Sequence, residues 1–125
     1  MRKRVSIINY KVGNIQSVIN AVSSFGVDVS LTYNYETIIQ SDAIILPGVG
    51  SYAHGMYNLK KQNLDKIIYE YVDTGKPVMG ICLGMQLMMS TSEEFTNTEG
   101  LGLFKGPVKK IISNKTMRVP HIGWE

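Results

Sequence analysis

The feature that most constrains the fold is a series of four short apolar segments, each separated from the next by a stretch of different period. Val5-Ser6-Ile7-Ile8, Val27-Asp28-Val29-Ser30-Leu31, Ala43-Ile44-Ile45-Leu46 and Pro77-Val78-Met79-Gly80-Ile81 are brief and rich in β-branched residues, which predicts strands. Between the first two, Ile15, Val18, Ile19, Val22 and Phe25 recur at helical spacing until Gly26, predicting an amphipathic helix with Asn14 as its N-cap. Tyr35 to Gln40 predicts a short helix. Met56, Leu59, Leu64, Ile67, Ile68, Tyr71 and Val72 predict either one helix broken near Asn63 or two in succession, closed by Gly75. Strands apolar enough to be covered on both faces, alternating with helices, define an α/β fold: an open parallel sheet with helices on both faces and right-handed crossovers. After a short helix at Met85-Gln86-Leu87-Met88-Met89, the chain is rich in Ser, Thr, Glu, Asn and Gly until Gly106, and Val108 to Ile112 is expected as a later strand.

At 125 residues the chain has the length of one domain, and residues 1–125 are read as a single unit. Apolar residues at 44% and charged residues at 18% place it among folded globular chains rather than disordered ones. The net charge of +3 arises mostly near the two ends, with no basic element interleaved with stacking aromatics, so the lysines read as solvated surface and not as a nucleic-acid face. A lone cysteine cannot form an internal disulfide, which favours a reducing compartment. The charged start runs directly into the first strand, unlike a secretory signal. No apolar run approaches the roughly 20 residues of a membrane helix. The expected location is the cytoplasm, away from membranes.

Open parallel sheets bind ligands at the carboxyl ends of their strands, which directs attention to the turns after strands three and four. After strand four comes Gly80-Ile81-Cys82-Leu83-Gly84, a cysteine form of the nucleophile elbow, in which small residues two before and two after permit a sharp strand-to-helix turn. A cysteine there stands at a helix start, where the dipole and free N–H groups favour the thiolate, the attacking form. The alternative is an inert buried cysteine, the usual fate of a lone one. After strand three, Pro47-Gly48-Val49-Gly50 presents backbone N–H groups at the same sheet edge, suited to an oxyanion hole. The expected donors are the amides of Val49 and Leu83.

Leu46-Pro47-Gly48-Val49-Gly50 together with Gly80-Ile81-Cys82-Leu83-Gly84-Met85-Gln86 resembles the class I, triad-type glutamine amidotransferases, whose fold is flavodoxin-like. Within that family the chain is similar to the glutaminase subunits of imidazole glycerol phosphate synthase. The likeness rests on Asn9-Tyr10-Lys11-Val12-Gly13-Asn14 with Ser17-Val18, on Ser92-Glu93-Glu94, on Gly100-Leu101-Gly102-Leu103 and on Val119-Pro120-His121-Ile122-Gly123-Trp124. The resemblance implies that Cys82 attacks the glutamine amide, releases ammonia and leaves a thioester that water hydrolyses to glutamate. It implies that Gly48, Gly50 and Gln86 hold the glutamine, with no cofactor and no metal. It also implies that ammonia crosses to a separate barrel-shaped cyclase subunit, the partner in a heterodimer of histidine biosynthesis. Asn14, His121 and Trp124 match stretches at or near that interface.

One part of the family pattern does not occur. A cysteine nucleophile needs a base and an orienting carboxylate, which in the family come from a His-Pro-Glu segment in the last third of roughly two hundred residues. That segment is absent from residues 1–125, so the fold is expected to be incomplete at its C-terminal end. Of the two histidines, His54 reads as a surface loop or helix-start residue and His121 belongs to the partner-facing motif. Three readings follow: the nucleophile half of a longer glutaminase, a non-catalytic chain that occupies the partner, or an ammonia donor for synthases acting on surface-sugar precursors. Asn9, where the histidine-pathway subunit usually carries Asp, keeps the third open.

Overall fold

The computed structural model describes residues 2–94 and 97–111. The first strand is β1 (Arg4–Ile8), followed by α1 (Gln16–Ser23), β2 (Asp28–Thr32), α2 (Tyr35–Ile39), β3 (Ala43–Leu46), α3 (Tyr52–Lys61), α4 (Leu64–Asp73), β4 (Val78–Gly80) and α5 (Leu83–Leu87). Three short strands follow: β5 (Met89–Ser92), β6 (Thr98–Glu99) and β7 (Phe104–Val108). Strands β1 to β4 form a sheet of order β2-β1-β3-β4 in which every pair is parallel. This is the α/β architecture that the alternating pattern predicts.

The register explains which residues make the core. Ser6 and Ile44 are partners across β1 and β3, and Leu46 pairs with Gly80 across β3 and β4. Ile8, Ile44 and Leu46 join one buried cluster with Ile38 of α2, Met56 and Leu59 of α3, Leu64, Ile68 and Tyr71 of α4, and Leu83 and Leu87 of α5. Fully burying an aliphatic side chain is worth about 1.5–3 kcal/mol, so this cluster is the main source of cohesion. The odd members of the register, Ile7, Leu31, Ile45 and Met79, share the opposite face. There Ile7 and Ile45 are buried, whereas Leu31 is 39% and Met79 59% exposed.

The buried hydroxyls beside β1 are paired. Ser6 Oγ meets Ser41 Oγ, Ser41 Oγ donates to the Thr37 carbonyl at 2.7 Å, and Tyr71 donates to the Ser41 carbonyl at 2.9 Å. A buried hydroxyl left without a partner would be destabilising, which is why the three bonds come as a connected set.

Three local expectations change. Asn14 does not cap α1: it adopts a left-handed backbone at φ 61°, and Ile15 precedes the helix without any side-chain cap bond. Asparagine tolerates that conformation better than most side chains, so the residue serves the turn rather than the helix. The stretch that follows α5 is also more regular than its polar composition suggests, since Met89–Ser92, Thr98–Glu99 and Phe104–Val108 form a second sheet of order β6-β5-β7. The late strand therefore ends at Val108, the residue at which the sequence pattern would start it, and Ile112 lies outside the described residues.

Candidate active site

The turns that follow β3 and β4 lie side by side because those strands are parallel neighbours, with Leu46 opposite Gly80. The N–H of Ile81 donates to the Leu46 carbonyl at 2.9 Å, which carries the pairing one step beyond the end of β4. The chain then reverses sharply at Cys82, whose φ of 52° and ψ of −122° are found rarely outside glycine. Cys82 immediately precedes α5, and the residue is exposed.

The flanking glycines are required by space. A Cβ on Gly80 would lie 2.8 Å from the Met85 nitrogen and 2.6 Å from its Cα. One on Gly84 would overlap the Leu46 carbonyl, so α5 can approach the end of β3 only with glycine there. The elbow read from spacing is thus present in the backbone, and its strain sits on the cysteine itself.

The Pro47–Gly50 loop is held from two sides. From the elbow, the N–H of Leu83 donates to the Gly48 carbonyl at 3.0 Å. From the β1 side, Tyr10 donates its hydroxyl to the Pro47 carbonyl, and Gly13 pairs with Val49 in an isolated antiparallel bridge. Burial pushes the Tyr10 hydroxyl well above the usual phenol range, so it remains a donor across the working pH range. Of the two expected oxyanion donors, Leu83 therefore has its amide engaged by Gly48, and Val49 is paired with Gly13 while its residue is 45% exposed. The first amide of α5 points into the loop, and the second, from Gly84, donates to the Ile81 carbonyl at 2.9 Å. For Leu83 to serve an oxyanion, the Gly48 carbonyl must first release it.

Beside the elbow lies a cavity of about 630 Å³ lined by Gly50, Gln86, Ser92, Glu93, Glu94, Val108, Lys109 and Lys110. Gly50 and Gln86 are brought together there as the expected substrate holders, whereas Gly48, Val49, Cys82 and Leu83 stand outside its lining. Cys82 is nevertheless one helical turn from Gln86, whose N–H donates to the Cys82 carbonyl at 3.2 Å. The acidic wall is fixed in place: Glu94 accepts from the Tyr52 amide at 3.0 Å at the start of α3, and its own N–H donates to the buried Ser92 hydroxyl at 3.0 Å. Glu93 faces Lys109 at 3.9 Å. Lys109 and Lys110 escape a reading of the sequence, because nothing in a pair of lysines distinguishes a cavity wall from solvated surface. Glu93 and Glu94 have a signal, the Ser92-Glu93-Glu94 motif.

His54 lies in the first turn of α3, where its N–H donates to the Ser51 hydroxyl at 3.3 Å and its Nε2 is 3.3 Å from Asn58 Nδ2. Its partners are on its own helix, in keeping with a helix-start role. Asn14 stands in the turn before α1, one residue from the Gly13–Val49 bridge. His121 and Trp124 lie outside the described residues.

The elbow, the glycine loop beside it and the parallel sheet beneath them define a class I glutamine amidotransferase architecture, and the family described as "Glutamine amidotransferase class-I" matches residues 6–125. The chain belongs to that family. Among its relatives, the "Imidazole glycerol phosphate synthase subunit HisH" of Listeria monocytogenes serotype 4a (strain HCC23) is 42% identical over 120 residues, covering 96% of this chain and 58% of that protein. The protein of the same name from Lactococcus lactis subsp. lactis (strain IL1403) is 43% identical over 122 residues, covering 98% of this chain and 59% of its own length. The chain thus spans less than two thirds of these curated relatives. A solved structure described as "Crystal structure of glutamine amidotransferase" superimposes with a TM-score of 0.71 at 17% identity, over 84% of this chain and 55% of that one. At that identity the likeness concerns the fold.

Proposed function

We propose that this chain carries the nucleophile of a glutamine amidotransferase of the histidine pathway. In this reading Cys82 Sγ attacks the side-chain amide carbon of glutamine. The C–N bond breaks, ammonia leaves with the proton originally on sulfur, and the glutamyl thioester is hydrolysed by water to glutamate and free thiol. Val49 and Leu83 would present their amides to the tetrahedral oxyanion once Gly48 yields. Loss of one such donor typically lowers the rate by about two to three orders of magnitude.

The observation that carries the proposal is the backbone of Cys82 itself, φ 52° and ψ −122°, held between two glycines that tolerate no side chain. Strain of this kind persists where the surrounding structure enforces it, and it lifts the thiol out of the sheet. The cavity beside it supports glutamine as the substrate. A free amino acid bears an ammonium and a carboxylate, and the lining offers both complements, Glu93 and Glu94 together with Lys109 and Lys110, along with Gly50 and Gln86. Gly50, which lines the cavity and has open space at its Cα, would allow the substrate to approach the backbone closely.

The ammonia is proposed to pass to a cyclase subunit in a cytoplasmic heterodimer, with Asn14, His121 and Trp124 at the contact. The reading is tested by substrate protection. L-glutamine should slow alkylation of Cys82 by iodoacetamide while D-glutamine does not, and Gln86→Ala should abolish the effect. Equal alkylation rates with and without L-glutamine would argue against a glutamine site.

A further inference from the structure

The Gly48 carbonyl points at Leu83, and nothing within Gly48 itself dictates that direction. Glycine has the widest backbone freedom of any residue, and Gly48 at φ 127° occupies a region that side-chain-bearing residues rarely enter. Its carbonyl direction must therefore be imposed from outside. The position where a Cβ would stand is already filled by the Tyr10 hydroxyl at 2.6 Å and by Val12 Cγ2 at 2.6 Å. The peptide before Gly48 is anchored through the Pro47 carbonyl by Tyr10, and the residue after it is bridged to Gly13. Because peptide units are planar, Gly48 has only its two dihedrals to vary, and these are confined by the anchors on either side together with the contacts from Tyr10 and Val12.

We propose that Tyr10 is a positioning residue: by holding the Pro47 carbonyl, its buried hydroxyl sets the orientation of the Gly48 carbonyl and so decides whether the Leu83 amide is occupied. Tyr10 is not part of the cavity lining. It acts through the loop, and its ring, which has no exposed surface, gives the loop a fixed reference in the core beyond β1.

The test compares Tyr10→Phe with Tyr71→Phe. Tyr71 is an equally buried tyrosine that donates to a main-chain carbonyl, that of Ser41, away from the loop, and so controls for loss of any such bond. Amide hydrogen exchange is read by NMR on the 125-residue chain. Tyr10→Phe should lower the protection of the Leu83 amide about tenfold, with the β1 and β3 amides within about twofold of wild type, since only local opening is affected. Tyr71→Phe should leave Leu83 unchanged. Unchanged Leu83 protection in Tyr10→Phe, or an equal loss in both variants, would overturn the proposal. If Tyr10→Phe fails to fold, Val12→Ala, which removes the other contact to Gly48, should lower Leu83 protection in the same direction, and no change there would count against the proposal.

A second readout rests on the glutaminase reading. The rate of Cys82 labelling by a glutamine-shaped diazo ketone, divided by its rate with iodoacetamide, should rise several-fold in Tyr10→Phe and stay constant in Tyr71→Phe. A ratio that is constant in both, while the diazo ketone labels Cys82, would contradict positioning. Complete failure of the diazo ketone to label Cys82 in any variant, alongside altered Leu83 exchange, would instead reject the glutamine reading and leave Tyr10's role standing.

Discussion

Leu83 gives its backbone N–H to the carbonyl of Gly48 across 3.0 Å, joining the residue after Cys82 to the loop after the neighbouring strand. The bond holds the elbow and the glycine loop in register, and under the proposed reaction it occupies a donor that the oxyanion would need. Cys82 is thus set in an assembled elbow beside a loop that, under the proposed reaction, changes partner.

Strain at Cys82 should be measurable as stability. A non-glycine residue at this φ and ψ costs about 1–3 kcal/mol, against roughly 0.5–1 kcal/mol for the added backbone freedom of glycine. Cys82→Gly is expected to raise stability by about 1 kcal/mol, or about 4 °C in the thermal midpoint, while Cys82→Ala does not. Equal midpoints for the two variants would show that the elbow is unstrained.

Gly84→Ala should be strongly destabilising, because the new methyl would overlap the Leu46 carbonyl. Overpacking against backbone is expected to cost about 3 kcal/mol. Gly75→Ala supplies the comparison: it has open space but a φ of 79°, so its penalty is conformational only, about 1–2 kcal/mol. Urea midpoints for the two variants decide whether close approach or backbone freedom is the stronger requirement.

The start of α3 is capped from two directions, by Ser51 through the His54 amide and by Glu94 through the Tyr52 amide. Ser51→Ala is expected to cost about 1 kcal/mol in urea denaturation. Glu94→Gln should have a smaller effect on stability, since an amide oxygen still accepts from Tyr52, but should weaken protection of Cys82 by glutamine.

Acid stability should depend on Asp42. The backbone N–H of Arg4, 2.8 Å from its carboxylate, holds this carboxyl below the usual range, helped by the charges of Lys3, Arg4 and Lys76 and opposed by partial desolvation. A carboxyl with a depressed folded-state pKa contributes stability that is present above its ordinary value of 3.8 and is lost as pH falls through the lower folded value. Asp42→Asn should therefore flatten the acid limb of a stability–pH profile below about pH 4 without changing the slope near neutrality. An unchanged acid limb would remove Asp42 from the account.

The 125-residue chain is expected to release ammonia from glutamine at a negligible rate, because His54 is paired along its own helix and no His-Pro-Glu segment occurs in the sequence. Robust turnover by the purified chain would implicate His54 or His121 as base, and substitution of each in turn would show which.

The parallel sheet is legible in the sequence because its strands are short, mostly apolar runs separated by segments of helical period, and the elbow is legible because glycine spacing reports a steric requirement directly. Sheet β6-β5-β7 is not, since Thr98–Glu99 is two polar residues long and β7 contains Gly106 and Pro107; its pairing is decided by main-chain partners distant in sequence. For the same reason the Leu83–Gly48 bond cannot be read from residue types: every residue has a carbonyl, and only the packing of Tyr10 and Val12 against Gly48 selects this one. Lys109 and Lys110 become cavity residues only when β7 is placed beside β5.

The most direct test of the central claim is labelling of the chain with a glutamine-shaped diazo ketone, read by peptide mass spectrometry. A single adduct on Cys82, suppressed by excess L-glutamine and absent from Cys82→Ala, is the predicted result. Labelling of Cys82→Ala to the same extent as wild type would contradict it.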